Sequence, residues 1–334
     1  MSYPHTIRLR GPWHFEPLAR SIVTPDGQMV ERADNLPPAG RGSVPSDWEG
    51  CVGRDFRGRV RYRRSFNPPG TLDSHERLWL VVEGVDAQGV ISLNGIRLGA
   101  VTGYSIWASF DVTKLVGPRN EVALEVELPA SADRSAGPLR PGREQLPGGP
   151  IGELRLEVRS QWFIELLAIW SLPDDDQRRF AVRGRIVGEP CATPLAVVVG
   201  GCEHELGYLE ARPGEAFEMA FAAADFPAWT TDQPTTAPIE VKLLACGESV
   251  WQQVRETGFR VAAPRDNSTR LGQILQEAAY SAFDRDGTAV IQHVPPAWAE
   301  SVCPRLAHHP SVVAWSAEAD STPQAPAFGR AWVH

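Results

Sequence analysis

Arg305-Leu306-Ala307-His308-His309-Pro310-Ser311-Val312-Val313-Ala314-Trp315-Ser316-Ala317-Glu318-Ala319-Asp320 is an apolar run that ends on two carboxylates. Val312 to Trp315 predict a short buried strand, and residues 299–306 ahead of them predict a helix. Ala289-Val290-Ile291 predict another short strand. Upstream of that, Leu271, Ile274, Leu275, Ala278, Ala279 and Ala282 recur at helical spacing. Strands alternating with helices in this way belong to parallel β/α architecture.

Toward the N-terminus the period changes from helical to two. Val60, Tyr62 and Phe66 alternate with polar neighbours, as do Val122, Leu124, Val126 and Leu128, and Leu154, Leu156 and Val158. Leu78 to Val82 is a continuous apolar run, as in a strand covered on both faces. Ile91-Ser92-Leu93-Asn94-Gly95-Ile96-Arg97-Leu98 predicts a hairpin, with Asn-Gly supplying the two positive φ angles of a type I′ turn. Residues 1–55 read as irregular, apart from a short strand at Gly11 to Phe15 and a polar turn at Pro45-Ser46-Asp47-Trp48. A long Pro-, Gly- and Arg-rich loop is expected over 130–150. A second group of strands is expected at 162–170, 180–187, 195–199, 217–221, 239–244 and 250–261, with Asp174-Asp175-Asp176 in a solvated turn. The expected fold class is mostly β: a jelly-roll sandwich over 1–160, an immunoglobulin-like sandwich over 161–262, and a short β/α segment over 263–334.

A net charge of -8 disfavours nucleic acid or an anionic membrane as partner, and no basic cluster offsets it. The N-terminus carries no apolar signal core and no run is long enough to span a membrane, so a cytoplasmic location is expected. Cys51, Cys191, Cys202, Cys246 and Cys303 form no C-x-x-C pair, which suits reduced thiols, although Cys191 and Cys202 are placed to pair across a hairpin.

Several stretches, in order along the chain, resemble glycoside hydrolase family 2, the family of β-galactosidases, β-glucuronidases and β-mannosidases. Gly58 to Phe66 is similar to its G-x-x-x-Y-R-R-x-F strand. Gly84-Val85-Asp86, Ser92-Leu93-Asn94-Gly95, Leu98-Gly99 and Phe110-Asp111-Val112-Thr113 resemble its G-V-D, L-N-G, L-G and F-D-V-T elements. Asn120 to Val126 and Gly148 to Leu156 resemble the strands that close the first domain. Trp229, Pro234 and Thr257-Gly258-Phe259-Arg260-Val261 resemble pieces of its second domain. Tyr280 to Val290 and His309-Pro310-Ser311-Val312-Val313-Ala314-Trp315-Ser316 resemble its Y-x-x-C-D-E-x-G-x-x-V and H-P-S-V-x-x-W-S. The resemblance implies a galactose-binding-like jelly roll, an immunoglobulin-like sandwich and the early part of a β/α barrel.

The family's barrel strand ends in G-N-E, where Glu is the general acid/base. The aligned residues here are Glu318-Ala319-Asp320, which makes Asp320 the degenerate acid/base position and Glu318 its acidic neighbour. Retaining hydrolysis needs two carboxyl groups about 5–5.5 Å apart on a rigid frame. That frame is a barrel of about 250 residues, and the sequence from 263 to His334 supplies less than a third of it. Trp107, Tyr104 and Trp48 lie near loops and are the candidates for stacking on a sugar, whereas Trp79, Trp162, Trp170, Trp229 and Trp315 fall in core positions. His308 and His309 with Cys303 have metal-ligand chemistry but match no familiar spacing, and His293 follows a strand as a barrel-site residue would. No metal site and no cofactor is expected. Three functions remain open: a non-catalytic carbohydrate-binding or interaction module, an active β-glycosidase with a reduced or subunit-completed barrel, and a structural sandwich that forms homo-oligomers.

Overall fold

The computed structural model describes residues 4–130, 146–172, 178–261, 268–272, 274–275 and 277–317. The expected loop over 130–150 therefore lies mostly outside the described residues, and the Asp174–Asp176 turn, Glu318 and Asp320 lie wholly outside them. The chain divides into two compact units, one from Pro4 to Arg159 and one beginning at Ser160.

The first unit is built from β1 (His5–Arg8), β2 (Trp13–Val23), β3 (Met29–Arg32), β4 (Gly40–Gly42), β5 (Gly58–Phe66), β6 (Glu76–Leu93), β7 (Ile96–Asp111), β8 (Asn120–Leu128) and β9 (Leu154–Ser160). Their hydrogen-bonded order is β1-β9-β6-β8-β5-β2-β3, with β4 on β2 and β7 on β6. Period-two sequences give period-two burial. Along β8, Asn120, Val122, Leu124, Val126 and Leu128 all point inward. The Asn94-Gly95 turn forms as expected, with φ of 52° and 80°, and joins Leu93 to Ile96.

Two expectations for this unit need correction. The first 55 residues are not irregular: they hold four strands, of which β2 is 11 residues long. In β2, Trp13, Phe15, Pro17, Ala19 and Ser21 are buried, so a proline and polar neighbours conceal a regular alternation. The run Leu78–Val82 and the hairpin arm Ile91–Leu93 are one strand of 18 residues, broken in register near Gly84.

The second unit begins with β10 (Phe163–Ser171), β11 (Arg179–Val187), β12 (Leu195–Gly201), β13 (His204–Ala211), β14 (Ala216–Ala222), β15 (Ala228–Trp229), β16 (Ala237–Ala245), β17 (Glu248–Thr257) and β18 (Phe259–Arg260). These make a β10-β11-β14 sheet, a β13-β12-β16-β17 sheet and a short parallel β15-β18 pair. Seven strands in two antiparallel sheets are the immunoglobulin-like arrangement. Phe180 anchors the core, with ring centroids 5.0 Å from Phe226 and 5.8 Å from Phe259. Strand β13 was not expected. Its burial is poor, so its sequence shows no apolar alternation.

The unit continues with β19 (Thr269–Leu271), α1 (Glu277–Asp286), β20 (Val290–His293), α2 (Pro296–Leu306) and β21 (Val312–Ser316). The three strands are parallel in the order β19-β20-β21. The helix expected from Leu271 begins only at Glu277, because Leu271 belongs to β19 and pairs with Gln292. Ile274, Tyr280, Val294, Ala299, Val302, Leu306 and Val312 form the core beneath α1 and α2. Helix α1 ends at Gly287 in a left-handed conformation (φ +69°), where Thr288 N donates to Phe283 O at 3.0 Å. The fold class is thus mostly β, and no closed barrel is present among the described residues. All five cysteines are free, so Cys191 and Cys202 do not pair. Among the described residues no helix is long and apolar enough to cross a membrane.

Candidate functional site

In the first unit, alternation brings Trp79, Val81 and Glu83 of β6 onto one sheet face. The register Trp79↔Asp111 and Val81↔Ser109 continues that face to Trp107 on β7, and Arg155, Glu157 and Arg159 of neighbouring β9 join it. Arg155 lies 5.0 Å from the Trp107 ring centroid, and Arg159 lies 4.8 Å from that of Trp79. Arg155 Nε donates to Glu157 Oε1 at 2.6 Å, and its Nη1 donates to Glu83. Arg159 Nε donates to the other Glu157 oxygen at 2.8 Å. Burial works to lower the Arg155 pKa, but Glu157 and then Glu83 outweigh it and the guanidinium is held above its ordinary value. The result is a row of alternating charge, buried at Arg155 and Glu157, beside a tryptophan ring that remains 43% exposed.

The expected sugar-stacking residues therefore separate. Trp107 is at the surface. Tyr104 lies in the same strand, paired through its backbone to Gly84. Trp48 is a correction: it is completely buried, edge-on to Phe56 at 5.4 Å, and cannot meet a sugar. Its polar turn folds inward, bringing Cys51 Sγ to 3.6 Å from the buried Tyr62 hydroxyl. Trp79 is only partly buried, on the charged face instead of in the core.

In the second unit, the residues following β20 and β21 are Val294 and Ala317, and the strands themselves end on His293 and Ser316. His293 Nδ1 lies 3.1 Å from Ser316 O, so it bridges neighbouring strand ends. Gln292 accepts from the Tyr280 hydroxyl at 2.6 Å and donates to Leu271 O at 3.2 Å. Below them sits a network unseen in the sequence. Asp284 of α1 accepts from His309 Nδ1 at 2.5 Å and from Ser311 N at 3.0 Å. Arg260 of β18 is buried, and burial lowers its pKa to about 10 while Asp284 opposes that shift. The Asp284 backbone carbonyl also accepts from Trp229 Nε1 at 2.8 Å. One carboxylate thus joins α1, the α2–β21 connection and the last strand of the sandwich.

The His308 ring lies beside that of His309, tilted by 38° with centroids 4.0 Å apart. Burial, reinforced by His309 and Arg255, holds the His308 pKa well below the ordinary histidine value, so the ring is neutral. Cys303 lies in the apolar core, where burial pushes its thiol up to about 12.

Residues 56–160 match the family described as the glycosyl hydrolase 2 galactose-binding domain-like family. That span includes the whole charged face and Trp107. No curated protein sequence matches the chain. Solved structures similar to it include an FMN-binding β-glucuronidase from Facaelibacterium prausnitzii L2-6, at a TM-score of 0.69 and 16% identity, over 94% of this chain and 58% of that one. A Bacteroides uniformis β-glucuronidase gives 0.68 and 16%, over 94% and 46%. A family 2 β-galacturonidase from Eisenbergiella tayi bound to galacturonate gives 0.68 and 15%, over 93% and 65%. The chain therefore spans less than two thirds of each of these structures, and at such identities the likeness establishes the fold. The resemblance to glycoside hydrolase family 2 stands, with the family's galactose-binding-like domain at 56–160.

Proposed function

We propose that the chain is a non-catalytic, glycoside hydrolase family 2-like carbohydrate-binding module whose sugar contact is the face around Trp107. In this reading residues 1–160 are the sugar-facing jelly roll, 161–262 the immunoglobulin-like sandwich and 263–334 a β/α segment. The observation that carries the proposal is the exposed Trp107 ring set beside the Arg155–Glu157–Arg159 row. A flat apolar ring suits the C–H face of a pyranose, and fixed charges suit its hydroxyl or carboxylate groups. Among the described residues β20 and β21 end on His293 and Ser316, and Glu318 and Asp320 lie beyond the described part of the chain.

The test is a titration of neutral monosaccharides and uronic acids, read by thermal shift and calorimetry. Binding without turnover is expected. Trp107→Ala weakens it at least about tenfold, a loss of roughly 1.4 kcal/mol, and Trp107→Phe restores part of it. The proposal fails if no sugar binds, or if Trp107→Ala binds as well as the parent.

A second reading, an active β-glycosidase with a reduced or subunit-completed barrel, is favoured by the parallel β19-β20-β21 order and by Asp320 following β21 in sequence. Hydrolysis of aryl β-glycosides by the chain, abolished in Asp320→Asn, would establish that reading and overturn the first.

A further inference from the structure

Glu277 stands in the first turn of α1, while His308 and His309 lie together in the α2–β21 connection. One ligand atom from each of the three lies within 4.8 Å of the other two. Glu277 Oε1 is 3.8 Å from His308 Nε2. Ligand atoms around a tetrahedral zinc ion stand about 3.3 Å apart, given bonds of about 2.0–2.1 Å. Coordination would need these ligand atoms to draw together by up to about 1.5 Å.

Proximity alone would not single out this cluster. The second observation is the state of His309, which is 1% exposed. A carboxylate only accepts, so its 2.5 Å contact with Asp284 places the hydrogen on Nδ1. In the neutral ring this leaves Nε2 with its lone pair. This buried nitrogen has no hydrogen-bond partner among the described residues, which is a costly condition for a polar atom. A histidine fixed by a carboxylate at one nitrogen, with the other left as a bare donor, is how proteins prepare an imidazole for a metal. One feature opposes binding: Arg255 Nη1 donates to Glu277 Oε1 at 2.7 Å. A carboxylate has lone pairs enough for both partners, and it would bridge the guanidinium and an ion.

We infer that Glu277, His308 and His309 form a binding site for a single divalent transition-metal ion, Zn²⁺ by its ligand chemistry, positioned from behind by Asp284. Two imidazoles and one carboxylate suit zinc and its neighbours better than magnesium or calcium. The ion's role is structural. It ties the start of α1 to the connection between α2 and β21, where the sequence offers no disulfide.

The experiment uses the full chain freed of any histidine tag, stripped with chelator and then titrated with Zn²⁺ or Co²⁺ alone. One equivalent retained after dialysis is expected, together with a raised melting temperature and the visible absorption bands of tetrahedral Co²⁺. Glu277→Gln and His308→Gln each weaken binding at least about tenfold, as does Asp284→Asn through the tautomer of His309. His75→Ala, in the exposed Asp73–His75–Glu76 group, leaves binding unchanged. The inference is overturned if the parent retains no ion and shows no thermal shift. It is equally overturned if binding survives both Glu277→Gln and His308→Gln, or is lost with His75→Ala.

Discussion

Replacing Asp284 by alanine removes the one group that three buried partners share. His309 Nδ1–H and Ser311 N–H both lose their acceptor, and Arg260 loses the charge that offsets its burial. Each stranded donor costs about 1–3 kcal/mol. A buried charge left without its counter-charge brings such losses to about 3–5 kcal/mol in all. The effect belongs to the second unit, so the assay is hydrogen exchange of peptides covering β20, α2 and β21, with β5 and β8 of the first unit as internal reference. A loss of 3–5 kcal/mol lowers protection by roughly two to three and a half orders of magnitude where exchange requires opening of the whole unit. Asp284→Asn is expected to cost less, about 1–3 kcal/mol, because its carbonyl still accepts from Ser311 while its amide forces His309 into the other tautomer. A fall of less than tenfold in Asp284→Ala, or an equal fall in both units, would refute the argument that this carboxylate joins sandwich and helices.

His308 supplies a prediction about pH. Its folded pKa lies well below the ordinary 6.5, through burial first, so below pH 6.5 only the unfolded chain takes up the proton. Stability of the second unit is therefore full above pH 6.5 and falls as pH drops toward the folded pKa, with a slope approaching about 1.4 kcal/mol per pH unit. A urea series between pH 7 and 5 measures this, and His308→Gln flattens the slope. Gly287→Ala places a Cβ 2.1 Å from Thr231 O and forces a left-handed φ on alanine. The left-handed conformation costs about 1–2 kcal/mol, so with the clash the same urea transition is expected to lose more than 2 kcal/mol. A loss below about 1 kcal/mol would mean that the Thr231 loop yields.

What could be read in the sequence follows from what generates periodicity. Strands with one buried face, such as β5, β8 and β9, declare themselves through alternation, and Asn94-Gly95 declares its turn because few other pairs tolerate two positive φ angles. Helix α2 appears near its observed limits despite Pro304 within it. Strands β1 and β3 are nearly all exposed and β4 is three residues long, so nothing in them alternates with solvent. Strand β19 is also only three residues long, and its one apolar residue falls by chance on the helical series that follows. Trp48 escapes a reading by sequence because a polar turn does not reveal that the ring at its end folds inward. The Asp284–His309 pair is separated by 25 residues, and the Arg155–Glu83 pair by 72. Such contacts depend on tertiary closure, and local sequence carries no trace of them. The nearest sequence signal was the appearance of Asp284 and His309 in two separate family-like motifs.

The Asn94-Gly95 turn also bears on how the protein ages. Asparagine before glycine is especially prone to spontaneous deamidation, because the unhindered glycine nitrogen attacks the side-chain amide and closes a succinimide. Here the amide is held: Asn94 Nδ2 donates to Leu115 O and Asn120 Oδ1, and its Oδ1 accepts from Glu121 N. Ring closure would have to break all three bonds and turn the amide toward Gly95. The fragile pair is thus shielded for as long as β8 stays against the hairpin, and isoaspartate accumulating at residue 94 in stored protein would record how often that strand comes away.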